Sequence, residues 1–307
     1  MPLLHLGFRS AMQDRPSEPP RDRRRYRIRF GMRTLFAALT VAILVFACLF
    51  NFWWLPWQEQ KDTVDLIKSR LGMGEGEMGD YKYESMEEFP WWKREFASRL
   101  GRDSVSRVTT AYSEGTGYPI DISAWKGLKG VETVSFDRAL VDDLSVLKEL
   151  PRLRIFKAFQ VGTNPAPGKG LEVLGQCQKL EHVSLQSSFP MNDDVLDSLC
   201  KADNIRFLKF DANQVRDLSP LAKLPNLEEL ILSVNPHQEN LNLQPIGVLP
   251  NLKRLTLRFY RGQRPQTLLF LTNLKALEYF EIRCPLDDLQ RKEILDHVPN
   301  NCEVIVE

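Results

Sequence analysis

The stretch LSPLAKLPNLEELIL (residues 218–232) places leucine at Leu218, Leu221, Leu224, Leu227 and Leu230, and then at Leu232. A step of three suits neither the 3.6-residue turn of an α-helix nor the two-residue alternation of a strand. Pro225, in the middle, would also break a helix. With Leu227 as origin, apolar residues lie nine, six and three positions before it and three and five after it. Moving the origin to Val131, Leu153, Leu180, Ile205, Leu252, Leu277 and Asn301 recovers the frame each time. Trp125, Leu147 and Leu295 take the position six before, Cys177, Ala202 and Val298 the position three before. Phe136, Ala158, Phe210 and Ile282 fall five after. Successive origins are 22, 27, 25, 22, 25, 25 and 24 residues apart.

Repeats of this length specify stacked coils, each too small to bury its apolar side alone. The final step of two is a short strand whose alternate side chains enter the coil. The steps of three belong to a tight 3₁₀ segment and corner, where every third residue returns to one face. Pro225 fits a corner, since no ladder donor is needed there.

LSPLAKLPNLEEL, LQPIGVLPNLKRLTL and LSVLKELPRLRIF resemble bacterial leucine-rich repeats, over residues 105–307. The resemblance implies an α/β solenoid, a horseshoe with a parallel sheet on its concave face. The family's asparagine, eight residues past each origin, is matched by Asn213 and Asn235. Ala139, Val161, Ser188, Tyr260 and Pro285 stand there in other coils.

The N-terminus is a different object. Residues 1–33 hold nine arginines and three acids, about +6 in a chain of net charge +1. RTLFAALTVAILVFACLFNFWWLPW follows, with an apolar run over 34–55 interrupted only by Thr40 and Asn51. About 20 such residues cross a bilayer core as a helix. Trp53, Trp54 and Trp57 at one end suit a headgroup interface, and Arg27, Arg29 and Arg33 crowd the other. The positive-inside rule then keeps the basic tail cytoplasmic and places the repeats outside. A cleaved signal peptide and a lipoprotein signal ending at Cys48 are the alternatives. This arrangement resembles single-pass leucine-rich-repeat proteins of planctomycete bacteria.

Five segments result: a tail (1–33), a transmembrane helix (34–55), a juxtamembrane helix and hinge (56–83), a capping helix (84–104) and the repeats (105–307). In the juxtamembrane helix, Val64, Leu66, Ile67 and Leu71 recur at helical spacing, before the glycine-rich GMGEGEMGDYKYE. In the capping helix, Phe89, Trp92, Phe96 and Leu100 share one face and suit the open end of the first coil. VSRVTT, from Val105, reads as a degenerate first strand.

Nothing in the chain recommends catalysis. The histidines His5, His182, His237 and His297 fall on separate segments, and no C-x-x-C pair occurs, so no metal or cofactor is expected. Nucleophile-elbow, zincin and phosphate-loop patterns are absent. Asp137, Asp142 and Asp143 read as solvated carboxylates in a turn. The five cysteines include Cys177 at a core position and a Cys284–Cys302 pair on adjacent coils that a bridge could join if the geometry suits.

What the repeats offer is a surface. Positions two, four and six past each origin point to the concave face, with position seven beside them. Phe159 and Phe207 are aromatic there, and Ile155 is apolar. Arg254, Arg258, Tyr279, Glu281 and Arg283 cluster on the last full coils, rich in residue types of interface hot spots. These arginines either pair with Glu229 and Glu281 along the sheet or meet a partner. The expected function is recognition of a protein, or a glycan, by a preformed concave face, with an acidic partner preferred. A cell-envelope scaffold and a constitutive subunit of a membrane complex are the alternatives. Nucleic acid is not expected, because the positive charge lies in the tail while the repeats are mildly acidic.

Overall fold

The computed structural model describes residues 32–49, 51, 55–71, 81–88, 90–91, 93–94, 108–114, 119–141, 143–159, 170–186, 191–234, 241–260, 265 and 267–306. It divides into two units, 1–49 and 50–307. The basic tail, Asp142, the loop 161–169, Asn235 and most of the expected capping helix lie outside the described residues.

Within the larger unit, the leucine step of three has a direct backbone cause. Leu221 N–H donates to Leu218 O at 3.0 Å, Leu224 N–H to Leu221 O at 2.9 Å, and Leu227 N–H to Leu224 O at 3.3 Å. Three linked i to i−3 bonds carry the leucines onto one face, and none requires a donor from Pro225. The segments Ser123–Gly127, Ser145–Glu149, Leu171–Gln176, Ser219–Lys223, Gln244–Val248 and Leu269–Asn273 are 3₁₀ helices. A side-chain oxygen ten residues before the origin caps most of them. Asp121, Asp143, Asp217 and Asn242 accept from the backbone N–H two residues on at 2.7–3.0 Å, and Thr267 does so at 3.2 Å.

Twelve strands are described: β1 (Tyr81–Tyr83), β2 (Val108–Glu114), β3 (Pro119–Ile120), β4 (Thr133–Asp137), β5 (Leu140–Val141) and β6 (Ile155–Phe159). They continue with β7 (His182–Gln186), β8 (Phe207–Asp211), β9 (Glu229–Val234), β10 (Arg254–Phe259), β11 (Tyr279–Arg283) and β12 (Glu303–Val306). Ten form one sheet in the order β1-β2-β4-β6-β7-β8-β9-β10-β11-β12, while β3 and β5 make a separate small ladder. Every pairing of the large sheet is parallel except β1 with β2. Equivalent frame positions lie side by side, as in Leu230↔Leu255↔Phe280 and Leu232↔Leu257↔Ile282. The fold is the leucine-rich-repeat solenoid expected.

Every frame position from Ile122 to Ile282 is buried. The eighth coil departs from the frame: Leu295 is 64% exposed and Ile294 is 0% exposed in its place. The cause is α4 (Asp288–His297), a true α-helix begun by a capping box at Asp287 and Gln290, whose wider turn brings the preceding residue inward. The other α-helix among the coils, α3 (Asp193–Leu199), keeps Leu196 and Leu199 inside.

A set of side-chain amides recurs at another frame position. One residue before the origin, Asn204, Asn226 and Asn251 donate Nδ2–H to the carbonyls of Gln178, Asp203 and Pro225, at 2.7, 3.0 and 2.8 Å. Each bond ties a coil to the preceding one. None of the five cysteines is in a disulfide, so no Cys284–Cys302 bridge forms.

At the N-terminal end, Thr110 pairs with Thr133, so the first strand has its origin at Val108 and not at Val105. The helix α2 (Leu55–Leu71) covers this coil. Val64 is 2% exposed within the core, and Gln60 Oε1 accepts the Val108 N–H at 2.9 Å. Thr63 lies so close to Gly127 that a Cβ there would collide with its hydroxyl.

The smaller unit contributes α1 (Met32–Leu49), of 18 residues. The expectation of a transmembrane helix over 34–55 is not supported: no helix among the described residues is long and apolar enough to cross a membrane. At ~1.5 Å per residue α1 rises ~27 Å, short of a ~30 Å hydrocarbon core. Its side chains are nonetheless apolar and uncovered, with Phe36, Leu39, Val41, Ile43, Leu44, Val45 and Phe46 all more than half exposed.

Candidate functional site: the concave sheet

Strand alternation directs positions two, four and six past each origin out of the coils, and parallel pairing aligns them in three rows. The first row includes Ile155, His182, Phe207, Glu229, Arg254 and Tyr279. The second includes Lys157, Ser184, Lys209, Ile231, Thr256 and Glu281. The third runs through Asp137, Phe159 and Gln186 in one series, and Asp211, Ser233, Arg258 and Arg283 in the next.

The cluster at the C-terminal half is internally wired. Arg254 Nε lies 3.7 Å from Glu229 and its guanidinium sits 4.7 Å over the Tyr279 ring, a cation–π contact. Glu281 is 7% exposed. It accepts from Arg283 Nε, and from Tyr279 Oη–H and Thr256 Oγ1–H at 3.2 Å each. Burial opposes ionisation of its carboxyl, yet these donors, Arg283 foremost, hold it below the usual carboxylate range. Burial and the bond to Glu281 push the Tyr279 phenol up. Arg254 and Arg283 are thus engaged with neighbouring carboxylates, the first of the two arrangements open to them from sequence.

Arg258 differs from both. It is half-buried, and its Nε has neither solvent access nor a hydrogen-bond partner among the described residues. Lys209, two strands away, has its ammonium pKa lowered by burial and by the charge of Arg258, with Asp211 opposing. At the other end of the same row, Asp137 Oδ1 is likewise buried without a hydrogen bond, 3.6 Å from Arg138 Nε. Arg138 itself carries a φ of +50°, a backbone region non-glycine residues rarely occupy.

The N-terminal half carries the exposed apolar side chains of the sheet. Phe159 is 39% exposed, Ile155 half-buried, and the rings of His182 and Phe207 stack with centroids 3.9 Å apart. Burial, and then Lys157, lower the His182 pKa and keep the imidazole neutral at neutral pH. Of the residues singled out from sequence, Arg254, Tyr279, Glu281 and Arg283 form one connected group. Phe159 and Phe207 lie on strands separated by β7, and Arg258 stands apart from the paired arginines. Lys209, Asp137 and His182 gain their interest only from pairing, which a side-chain list does not convey.

On the 3₁₀ side of the coils lies a cleft of about 330 Å³ of mixed lining, with Ile122 and Val146 beside Asp121, Asp143, Lys126 and Glu149, where the two aspartates accept from the backbone N–H of Ser123 and Ser145. Among the described residues no group of histidine, cysteine and acidic side chains converges as metal ligands do. Burial pushes the Cys177 thiol up to about 11 and that of Cys200 up to about 12, far from a reactive thiolate.

No family model and no curated protein sequence matches the chain. Solved structures with a similar chain path include internalin C2 of Listeria monocytogenes, at 21% identity and a TM-score of 0.48, covering 68% of this chain and 83% of that one. Internalin InlF of the same organism aligns at 17% identity and 0.48, over 70% of this chain and 62% of that one. The leucine-rich repeat domain of the type III effector XCV3220 (XopL) aligns at 13% identity and 0.43, over 91% and 97%.

Proposed function

We propose that the chain is a recognition module that binds a protein partner on its concave sheet, without catalytic turnover. The observation that carries this reading is the uncovered apolar surface of that sheet. Phe159 is 39% exposed on β6, and in the first row the Phe207–His182 stack adjoins half-buried Ile155, in a protein whose coils bury every frame residue up to Ile282. Apolar side chains left open on one face of a sheet are a mark of interaction sites. The wired C-terminal cluster supplies a rigid polar flank, since its side chains are held by each other before any partner arrives. The test is site-specific crosslinking in cells. A photoreactive phenylalanine at Phe159 or Phe207 should trap one discrete protein species, whereas the same group at convex Lys223 should not. Equal labelling from both faces, or none from the sheet, would leave the scaffold role as the better reading.

A further inference from the structure

The third row of the sheet is electrically polar from end to end. Asp137 occupies it at the N-terminal end, and Arg258 and Arg283 at the C-terminal end. Phe159, Gln186, Asp211 and Ser233 lie between. Each end also holds a buried atom without a hydrogen bond: an acceptor at Asp137 Oδ1, whose one charged neighbour among the described residues is the exposed Arg138 at 3.6 Å, and a donor at Arg258 Nε. A buried polar atom without a partner costs ~1–3 kcal/mol, so two on one face call for a common explanation. Both side chains are only half-buried as wholes, so a ligand can engage them by rotating their ends.

We propose that this row binds one extended peptide segment of the partner, lying across the strands. A lysine or arginine meets Asp137, an apolar side chain covers Phe159, and a carboxylate meets Arg258. This deepens the concave-face reading and rests on it. Chemistry selects the polarity: Arg283 is occupied by Glu281 and Arg254 by Glu229 and Tyr279, leaving Arg258 to fork onto a carboxylate. Lys209 reinforces the choice: burial first, and then the charge of Arg258, lower its pKa, with Asp211 opposing, and a carboxylate between the two cations relieves the second of these. Spacing selects the length. Five strand-to-strand steps separate β4 from β10. At ~4.8 Å each they span ~24 Å, which an extended chain at ~3.3 Å per residue covers in about seven residues.

The test presents the full-length chain with a randomised library of capped dodecapeptides and sequences those retained. Enriched peptides should place Lys or Arg and Asp or Glu about six to eight residues apart, always in the same order. Arg258→Gln should erase the preference for the acid alone, and Asp137→Asn the preference for the base alone. Each should weaken the best wild-type peptide about tenfold or more, as loss of one charge-assisted bond does, without lowering the melting temperature. Enrichment that lacks the spacing, or survives both variants, overturns the proposal. If such peptides still depend on Phe159 and Phe207, the concave-face reading stands without it. If the wild-type chain enriches no peptide more than Phe159→Ala/Phe207→Ala does, both fail.

Discussion

Leu255 and Arg258 stand three apart on β10 and therefore face opposite sides of the sheet, the first 0% exposed, the second half-buried among polar neighbours. Leu255→Ala opens a cavity in a packed core and should cost ~2–5 kcal/mol. Arg258→Ala should stay within ~0.5 kcal/mol of wild type or stabilise, since its Nε has no bond to lose. Chemical denaturation of both variants checks this, and equal losses would refute the frame. At this scale the sequence was most informative, because a leucine every third residue is a direct record of linked i to i−3 bonds. It was silent on who pairs with whom: Glu229 and Glu281 were visible as possible partners, but only side-chain geometry shows Arg258 left over. His182 yields a pH prediction. Its folded pKa lies below the ordinary 6.5, through burial and then Lys157. The folded state therefore binds the proton less readily than the unfolded state. The stability contribution is complete above the unfolded value and is lost as pH falls through the folded one. Between roughly pH 5 and 6.5, above the carboxylate range, the melting temperature should fall with acidification. His182→Phe keeps the stack on Phe207 and should flatten that slope; an unchanged slope would assign it to another group.

Elements differ in how far local pattern decides them. The 3₁₀ segments and strands were readable because each carries its own period. In α4 the capping box enforces an α-helical turn, and Ile294 displaces Leu295 from the core although the repeat frame names Leu295. The covering of the first coil by α2 was not readable, since its decisive contacts reach across 48 residues from Gln60 to Val108 and farther still from Thr63 to Gly127. Two glycines test these packings. At Gly127 an added Cβ meets the Thr63 hydroxyl, a side-chain atom; at Gly175 it meets the backbone carbonyl of Ser198 in α3. Gly127→Ala should destabilise by ~1–3 kcal/mol, and Thr63→Ala in the same chain should recover much of that loss. Gly175→Ala should cost at least as much, and no side-chain truncation at Ser198 should relieve it, because the colliding atom stays. Additive effects of Gly127→Ala and Thr63→Ala in a thermal-melt cycle would mean that α2 does not rest on the first coil.

For the whole molecule, composition marks residues 34–55 as unlike the repeats, whereas the chain divides into units at 49 and 50, inside that segment. Composition did not fix the length of the helix, because the apolar run continues through Phe52 and Leu55 whereas α1 ends at Leu49. What survives is an unsatisfied surface. A helix apolar on all sides is stable in water only when something covers it, and eight of its described large side chains, Met32 included, are more than half exposed. Each such side chain left in water forgoes ~1.5–3 kcal/mol relative to full burial, so association with any available apolar phase is strongly favoured. The full-length chain should therefore self-associate in detergent-free buffer and become monodisperse with detergent. A chain starting at Phe50 keeps α2, the first-coil covering and every described strand, and should remain monomeric without detergent at an unchanged melting temperature. Light scattering coupled to size exclusion measures both. If the full-length chain is monomeric without detergent, α1 is covered by another part of the same chain. If the shorter chain also melts earlier, that covering part belongs to the repeats, and α1 contributes to their stability.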